Sequence, residues 1–240
     1  MIDLHCHILP GIDDGAADLA DSVAMARQAD EDGIELVCAT PHIRHDHDVR
    51  IRELPERVGE LNEELRRQGL AVRVASGGEV AQTIVSQLDF DELAALTLGD
   101  GGRWLLLEPA PGPLGEALLL TVDELEASGY GCVVAHPERH PGGEFIETLT
   151  ALAERGALIQ LTADALLHGE AAEGMLDLAS RGLCHLLGSD AHSSQFGRPV
   201  KLSAGFERLA SVSRLAPHID WIASEAPAAI VRGEELSVPY

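Results

Sequence analysis

Short runs of apolar residues alternate along the chain with longer stretches in which apolar residues recur every three or four positions. The runs at residues 2–7, 36–40, 72–77, 104–108, 131–135, 158–161 and 185–188 have the length and make-up of buried strands. Residues 18–32, 53–68 and 114–128 carry the one-sided spacing of helices packed on a sheet. Gly33, Gly69 and Gly129 follow these stretches as C-cap signals. Strand and helix in alternation predict an α/β protein, a parallel sheet or barrel of seven βα units. Gly99, Gly101 and Gly102 read as a surface turn before the fourth strand. With no linker, internal repeat or low-complexity segment, residues 1–240 are expected to form one domain.

Composition narrows the function classes. A chain of 240 residues with 45% hydrophobic and 24% charged residues is ordinary globular material. Its formal charge of -23 argues against nucleic acid or an anionic membrane as partner, since both recruit proteins through Lys and Arg. The first residues, Met1-Ile2-Asp3-Leu4-His5, lack a basic region, and no apolar run approaches the ~18 residues of a membrane span. A cytoplasmic location without membrane insertion is expected. Cys6, Cys38, Cys132 and Cys184 lie in or beside apolar runs, without Cys-x-x-Cys spacing, and read as buried thiols.

The chemistry lies where the strands end, the face on which α/β barrels build their sites. His5 and His7 close the first strand two residues apart, a spacing that points both imidazoles to one side. Asp14 follows in a loop from which it is expected to return to them, ahead of its neighbour Asp13. His42 follows the second strand in Thr40-Pro41-His42, and Glu79 the third in Gly77-Gly78-Glu79. Glu108 and His136 end the runs Leu105-Leu106-Leu107 and Cys132-Val133-Val134-Ala135, where an unligated polar group would be costly to bury. Asp190 and His192 close the last strand with the two-residue spacing of the first. Imidazoles and carboxylates without paired thiolates suit Mn, Fe or Zn, and nine ligands exceed what one ion uses, so two or three ions are expected.

These residues carry a resemblance. His5-x-His7, Thr40-Pro41-His42, Gly78-Glu79, His136-Pro137-Glu138-Arg139 and Gly188-Ser189-Asp190-Ala191-His192 resemble the PHP (polymerase and histidinol phosphatase) superfamily over nearly the whole chain. The opening Met1-Ile2-Asp3-x-His5-x-His7, with Asp13-Asp14-Gly15 and His-Pro-Glu-Arg, is similar to manganese-dependent protein-tyrosine phosphatases of bacterial capsule and exopolysaccharide loci. The resemblance implies a distorted (β/α)7 barrel of the PHP type holding three metals. It assigns His5, His7, Glu79 and Asp190 to the first, with Glu79 bridging to a second completed by Glu108 and His136. Asp14, His42 and His192 go to the third. It also implies phosphotyrosine proteins as partners, a capsule-associated tyrosine kinase among them. The chain departs from that pattern in the loop Ile43-Arg44-His45-Asp46-His47, at His140, and over residues 160–170.

The expected chemistry is phosphomonoester hydrolysis by a metal-activated hydroxide. Arg139, beside His136, is the candidate for a bidentate phosphate contact, with an ion pair to Glu138 as the structural alternative. Arg44 and Arg198, in loops after ligand-bearing strands, are further substrate-binding candidates. His192 or His45 are the candidates for proton transfer, although a phenolate leaving group of pKa about 10 needs less protonation than an alkoxide. Cys38 and Arg44 also form the Cys-x5-Arg spacing of cysteine-nucleophile phosphatases, but the intervening Ala-Thr-Pro-His-Ile has no glycine to let amides converge on phosphate. Two alternatives keep the metals: a phosphatase for a small molecule such as histidinol phosphate, and a non-catalytic metal-binding regulator.

Overall fold

A computed structural model describes residues 1–99 and 101–240, Glu170 through its backbone alone. The described strands are β1 (Ile2–Cys6), β2 (Leu36–Ala39), β3 (His42–Ile43), β4 (Arg73–Ala75), β5 (Glu79–Ala81), β6 (Trp104–Glu108), β7 (Gly131–Ala135), β8 (Leu158–Thr162) and β9 (Leu186–Gly188). Between and after them come α1 (Leu19–Asp32), α2 (Leu54–Arg67), α3 (Phe90–Ala95), α4 (Glu116–Ala127), α5 (Phe145–Glu154), α6 (Gly169–Ser180), α7 (Ser203–Leu209) and α8 (Ala226–Val231). Every strand pairing is parallel, as alternating βα units require. The fold is therefore of the expected α/β class.

The strands form two ladders, β1-β2-β4 and β3-β5-β6-β7-β8-β9. The second and third expected strands are present as β2 and β4, and each is followed by a further short strand, β3 or β5, that the apolar pattern does not predict. Pro41, which has no N–H to give a ladder, separates β2 from β3. Gly77 and Gly78 separate β4 from β5, where a Cβ would stand 3.1 Å from Leu98 Cδ2 and 2.5 Å from Leu96 Cδ2. His42 and Glu79 thus open new strands instead of following old ones. Around the far side, β9 returns to β1 through a single parallel bridge, Cys6 opposite Ala191. Asp190 N donates to His5 O (2.8 Å) and His7 N to Ala191 O (2.9 Å) beside it.

Both faces of the strands are buried, which explains their near-continuous apolar sequences. Leu4, Cys38, Leu106, Val133, Leu158 and Leu186 form an inner cluster joined by Ala226 and Ile230 of α8. The alternate positions Val37, Leu105, Leu107, Val134, Ile159 and Leu187 join the larger core under the helices. In α2 the buried residues Leu54, Val58, Leu61 and Leu65 repeat every three or four positions, so one stripe of the helix meets the sheet. Asp18 lies outside α1 as its N-cap, its side chain accepting from Asp21 N. Gly33, Gly69 and Gly129 stand just past α1, α2 and α4 in left-handed backbone, as their sequence positions predict.

Of the glycines before the fourth expected strand, Gly102 is exposed as a surface turn requires, but Gly99 and Gly101 are packed against the end of α8 and the residues just after it. Gly99 is buried, and a Cβ there would stand 2.6 Å from Val231 Cγ1, so the bend is packed against the end of α8. Asp100, between Gly99 and Gly101 in sequence, lies outside the described residues. No helix among the described residues is long and apolar enough to cross a membrane.

One core group generates a pH prediction. His185 is buried, and its Nδ1 accepts from Ile159 N at 2.8 Å. Burial pushes its pKa down from 6.5 to about 4. The unfolded chain then binds the proton more readily, so stability is full above about pH 6.5 and falls as pH drops towards 4, by up to about 3 kcal/mol from this group. In denaturant titrations across that window, His185→Asn, which keeps an acceptor for Ile159 N, should show a shallower loss of stability than wild type; equal slopes would refute the assignment.

Candidate metal centre

The strand ends bring the nine ligand-type residues to one place. His5 lies within β1 and His7 just beyond it, and the β1–β2 register shifts between Asp3 and Cys6. That irregularity lets Leu4 remain in the inner apolar cluster while His5 and His7 both reach the polar one. His42 and Glu79, first residues of β3 and β5, are register partners, with His42 Nδ1 2.8 Å from Glu79 Oε2. Glu108 ends β6. His136 and Asp190 follow β7 and β9, and are the two non-glycine residues with positive φ among those described, at 31° and 49°. Left-handed backbone is unfavourable for such side chains and recurs where a functional geometry demands it.

The ligand atoms gather in four overlapping groups, each within 4.8 Å: His7, Asp14, His42 and His192; His5, His136 and Asp190; His5, His7 and Glu79; and His42, Glu79 and Glu108. Glu79 is central. Its Oε1 lies 2.7 Å from His136 Nε2 and 3.4 Å from His5 Nε2, and its Oε2 lies 3.3 Å from His7 Nε2. Glu108 groups with His42 and Glu79, whereas His136 groups with His5 and Asp190.

The fit to metal rests on atoms left over by hydrogen bonding. His5 Nε2, His7 Nε2, His42 Nδ1, His136 Nδ1, Glu79 Oε2 and Asp190 Oδ1 are all buried without a hydrogen-bond partner among the described residues. Unsatisfied buried polar atoms are costly one at a time, and their concentration on neighbouring His, Asp and Glu residues fits a cation site. This clustering of His, Asp and Glu is able to bind metal.

Neighbouring groups fix which atoms face inward. Asp13 Oδ2 bonds His7 Nδ1 at 2.8 Å and accepts from His42 N at 2.9 Å, while Asp13 Oδ1 accepts from Gly15 N. Gln160 Oε1 bonds His5 Nδ1 at 2.8 Å, and His192 Nδ1 bonds Asp190 O at 3.1 Å. Each partner leaves the other ring nitrogen, Nε2, for the cluster. Burial works against the charge of Asp13, but the hydrogen bonds and charge of His7 hold its carboxyl at about 2. Burial likewise opposes ionisation of Glu79, yet the imidazoles around it hold it well below the usual carboxylate range. Burial and the charge of His7 push His192 down to about 4.

Sequence reasoning ranked Asp13 beneath Asp14 but gave it no role, and passed over Gln160 as a ligand holder. The available signal for Gln160 was a polar residue inside the apolar run Leu158-Ile159-Gln160-Leu161, whereas Glu108 and His136 close theirs. The alternative pairing of Arg139 with Glu138 is overturned: Arg139 Nη2 donates to Asp190 Oδ2, and Glu138 Oε1 accepts from Thr162 N. Arg198 Nη2 also reaches Asp190 Oδ2 at 2.9 Å, and Arg44 Nη1 reaches Glu108 Oε1 at 3.2 Å. The three arginines line one open cleft of about 910 Å³ with His42, Glu108 and His192. Cys38 is absent from that cleft and fully buried in the inner apolar cluster, which removes the Cys-x5-Arg reading.

Comparison with known proteins gives concordant findings. The family model for capsular polysaccharide synthesis, CpsB/CapC, matches residues 1–215. The tyrosine-protein phosphatase YwqE of Bacillus subtilis (strain 168) is 35% identical over 200 residues, 80% of this chain and 78% of that protein. CapC of Staphylococcus aureus is 29% identical over 227 residues, 88% of each. A chain from the crystal structures of YwqE from Bacillus subtilis and CpsB from Streptococcus pneumoniae, metal-dependent tyrosine phosphatases, superposes with a TM-score of 0.85 at 28% identity. It covers 99% of this chain and 96% of its own.

A divalent cation held by these atoms would stabilise the fold by mass action, about 2.7 kcal/mol at a concentration 100 times its Kd. Thermal unfolding with added Mn²⁺ should therefore shift upward and return on chelation. Asp13→Ala, which frees His7 to turn, should weaken that shift by about 10- to 100-fold in apparent affinity. A metal-induced shift identical in the variant would dismiss the orienting role of Asp13.

Proposed function

The chain belongs to the CpsB/CapC family of capsular polysaccharide synthesis, and on that premise we propose that it is a metal-dependent phosphatase acting on protein phosphotyrosine. The observation that carries the reading is the cluster of buried imidazole nitrogens and carboxylate oxygens that face one another without hydrogen-bond geometry beside an open, arginine-lined cleft. The match to metal-dependent tyrosine phosphatases supports the choice of reaction. Residues 1–240 act as one catalytic domain, a reading supported by a core cluster that runs from Cys6 to Ala223. Phosphotyrosine proteins of capsule or exopolysaccharide synthesis are the substrates, a capsule-associated tyrosine kinase among them, and the reaction is cytoplasmic.

His5, His7, Asp14, His42, Glu79, Glu108, His136, Asp190 and His192 would hold two or three Mn²⁺ ions. Bound there, such ions supply a water of lowered pKa and positive charge against the phosphate oxygens. The protein does the rest by placement. Arg139, Arg198 and Arg44 stand on the cleft with their side chains partly exposed, at 37%, 31% and 29%. A planar guanidinium matches two phosphate oxygens, so these side chains bind and orient the phosphoryl group. His192 stacks on His7 with centroids 3.8 Å apart. With Nδ1 turned to donate to Asp190 O, it presents Nε2 as an acceptor for a proton or a ligand bond, an arrangement with no proton aimed at the leaving group. A phenolate leaves without a general acid more readily than an alkoxide does.

The test is hydrolysis of a phosphotyrosine peptide and of histidinol phosphate in parallel, after chelation and then with Mn²⁺ restored. The expected outcome is metal-restored activity that favours the peptide and survives Cys38→Ala. Arg139→Ala should lower kcat/KM by about 10²-fold or more, as loss of a charged phosphate contact does. Preference for histidinol phosphate would reassign the substrate, and activity indifferent to chelation would overturn the metal reading.

A further inference from the structure

The cleft has an apolar element that neither metal nor phosphate uses. Phe196 is 77% exposed, the most exposed of the large hydrophobic side chains. It lines the cleft with the three arginines, His42 and His192, and is its one Phe, Tyr or Trp among the described residues. The chain holds just four Phe, two Tyr and two Trp, so an aromatic ring in water beside this site is conspicuous. Ala20 and Ala24 of α1, one helical turn apart on one face, line the same cleft with Ala17. Their methyl groups leave room and add apolar surface.

The loop that presents Phe196 is anchored on both sides. Before it, Ser194 N and Oγ donate to Asp21 Oδ1 at 2.9 and 2.5 Å, and Gln28 Nε2 donates to Ser194 O at 2.9 Å. After it, Arg198 Nε and Nη2 donate to Asp190 O, and Val200 N donates to Gln28 Oε1 at 3.1 Å. The ring is thus carried by a short tip between fixed points on α1 and on a ligand-bearing segment. Asp21 and Gln28 belong to the helix that supplies Ala20 and Ala24, so ring and alanine face keep a set relation. An exposed aromatic held this way needs little ordering when a second ring packs on it.

We propose that Phe196, with the Ala20/Ala24 face of α1, is a specificity-determining element that packs against the aryl ring of an aryl phosphomonoester while its phosphoryl group lies among the arginines. The proposal rests on the phosphatase reading above and adds the residue that separates aryl from alkyl phosphates. Ring packing acts alike in ground state and transition state, so Phe196 governs KM and leaves kcat nearly unchanged.

The experiment compares wild type, Phe196→Ala and Phe196→Trp in the Mn²⁺-loaded protein. Substrates are a phosphotyrosine peptide, the matching phosphoserine peptide and 4-nitrophenyl phosphate. A peptide bearing a non-hydrolysable phosphonate analogue of phosphotyrosine is titrated by calorimetry as a readout independent of turnover. Phe196→Ala should raise KM for both aryl substrates and weaken phosphonate binding by about tenfold, and Phe196→Trp should restore them. The phosphoserine peptide should respond to neither change. An equal loss on the aryl and alkyl substrates, or no loss of phosphonate affinity, would overturn the assignment. Absent hydrolysis by wild type with phosphonate binding still sensitive to Phe196 would instead reject the phosphatase reading and keep the aryl contact.

Discussion

The structure depends on a single constraint: carboxylates and imidazoles buried together must be neutralised among themselves or by a cation. Glu79 and Asp190 are both buried, and His5, His7, His42 and His136 surround them within hydrogen-bonding or ion-pairing reach. Burial of a lone charge costs several kcal/mol, so each member is tolerable only beside the others. The apolar strand interiors beneath, with Leu4, Leu106, Val133 and Leu186 at their centre, make that constraint severe and give the cluster its rigidity. Stability and chemistry therefore share one set of side chains.

The fold meets the constraint by breaking its own regularity. A parallel strand delivers one side chain inward every second residue, which would supply too few ligands too far apart. The shifted register in β1, the interruption at Pro41 and the close approach at Gly77 and Gly78 each bring an extra polar side chain to the same depth. His136 and Asp190 take the same end by a turn of backbone. These irregularities sit at the ligand-bearing ends of the strands, while the helices behind them follow simple amphipathic patterns.

That division explains what the sequence disclosed. The βα alternation, the helix ends at Gly33, Gly69 and Gly129, and the nine ligand-type residues were all legible, because apolar periodicity and a polar residue closing an apolar run are local signals. The two short strands were not: β3, behind the local signal of Pro41, is too short to show a period of its own, and the start of β5 turns on the close approach of Gly78 to Leu96 and of Gly77 to Leu98 about 20 residues onward. The burial of Gly99 against Val231 escaped for the same reason. Gln160 and Asp13 act through ring nitrogens of His5 and His7, and a pairing of side chains across the barrel leaves no trace in spacing. The partner of Arg139 was misjudged because Glu138 is its neighbour in sequence, whereas Asp190 is its neighbour in space.

The left-handed backbone at His136 and Asp190 has an evolutionary consequence. Asparagine, like Asp and His themselves, is among the side chains that tolerate this conformation best after glycine. A change to Asn at either position would keep the backbone at ease while removing a ligand-type group from the buried charge network. Drift towards a silent relative is therefore resisted by folding itself, because the cluster that does the chemistry also neutralises what the fold has buried.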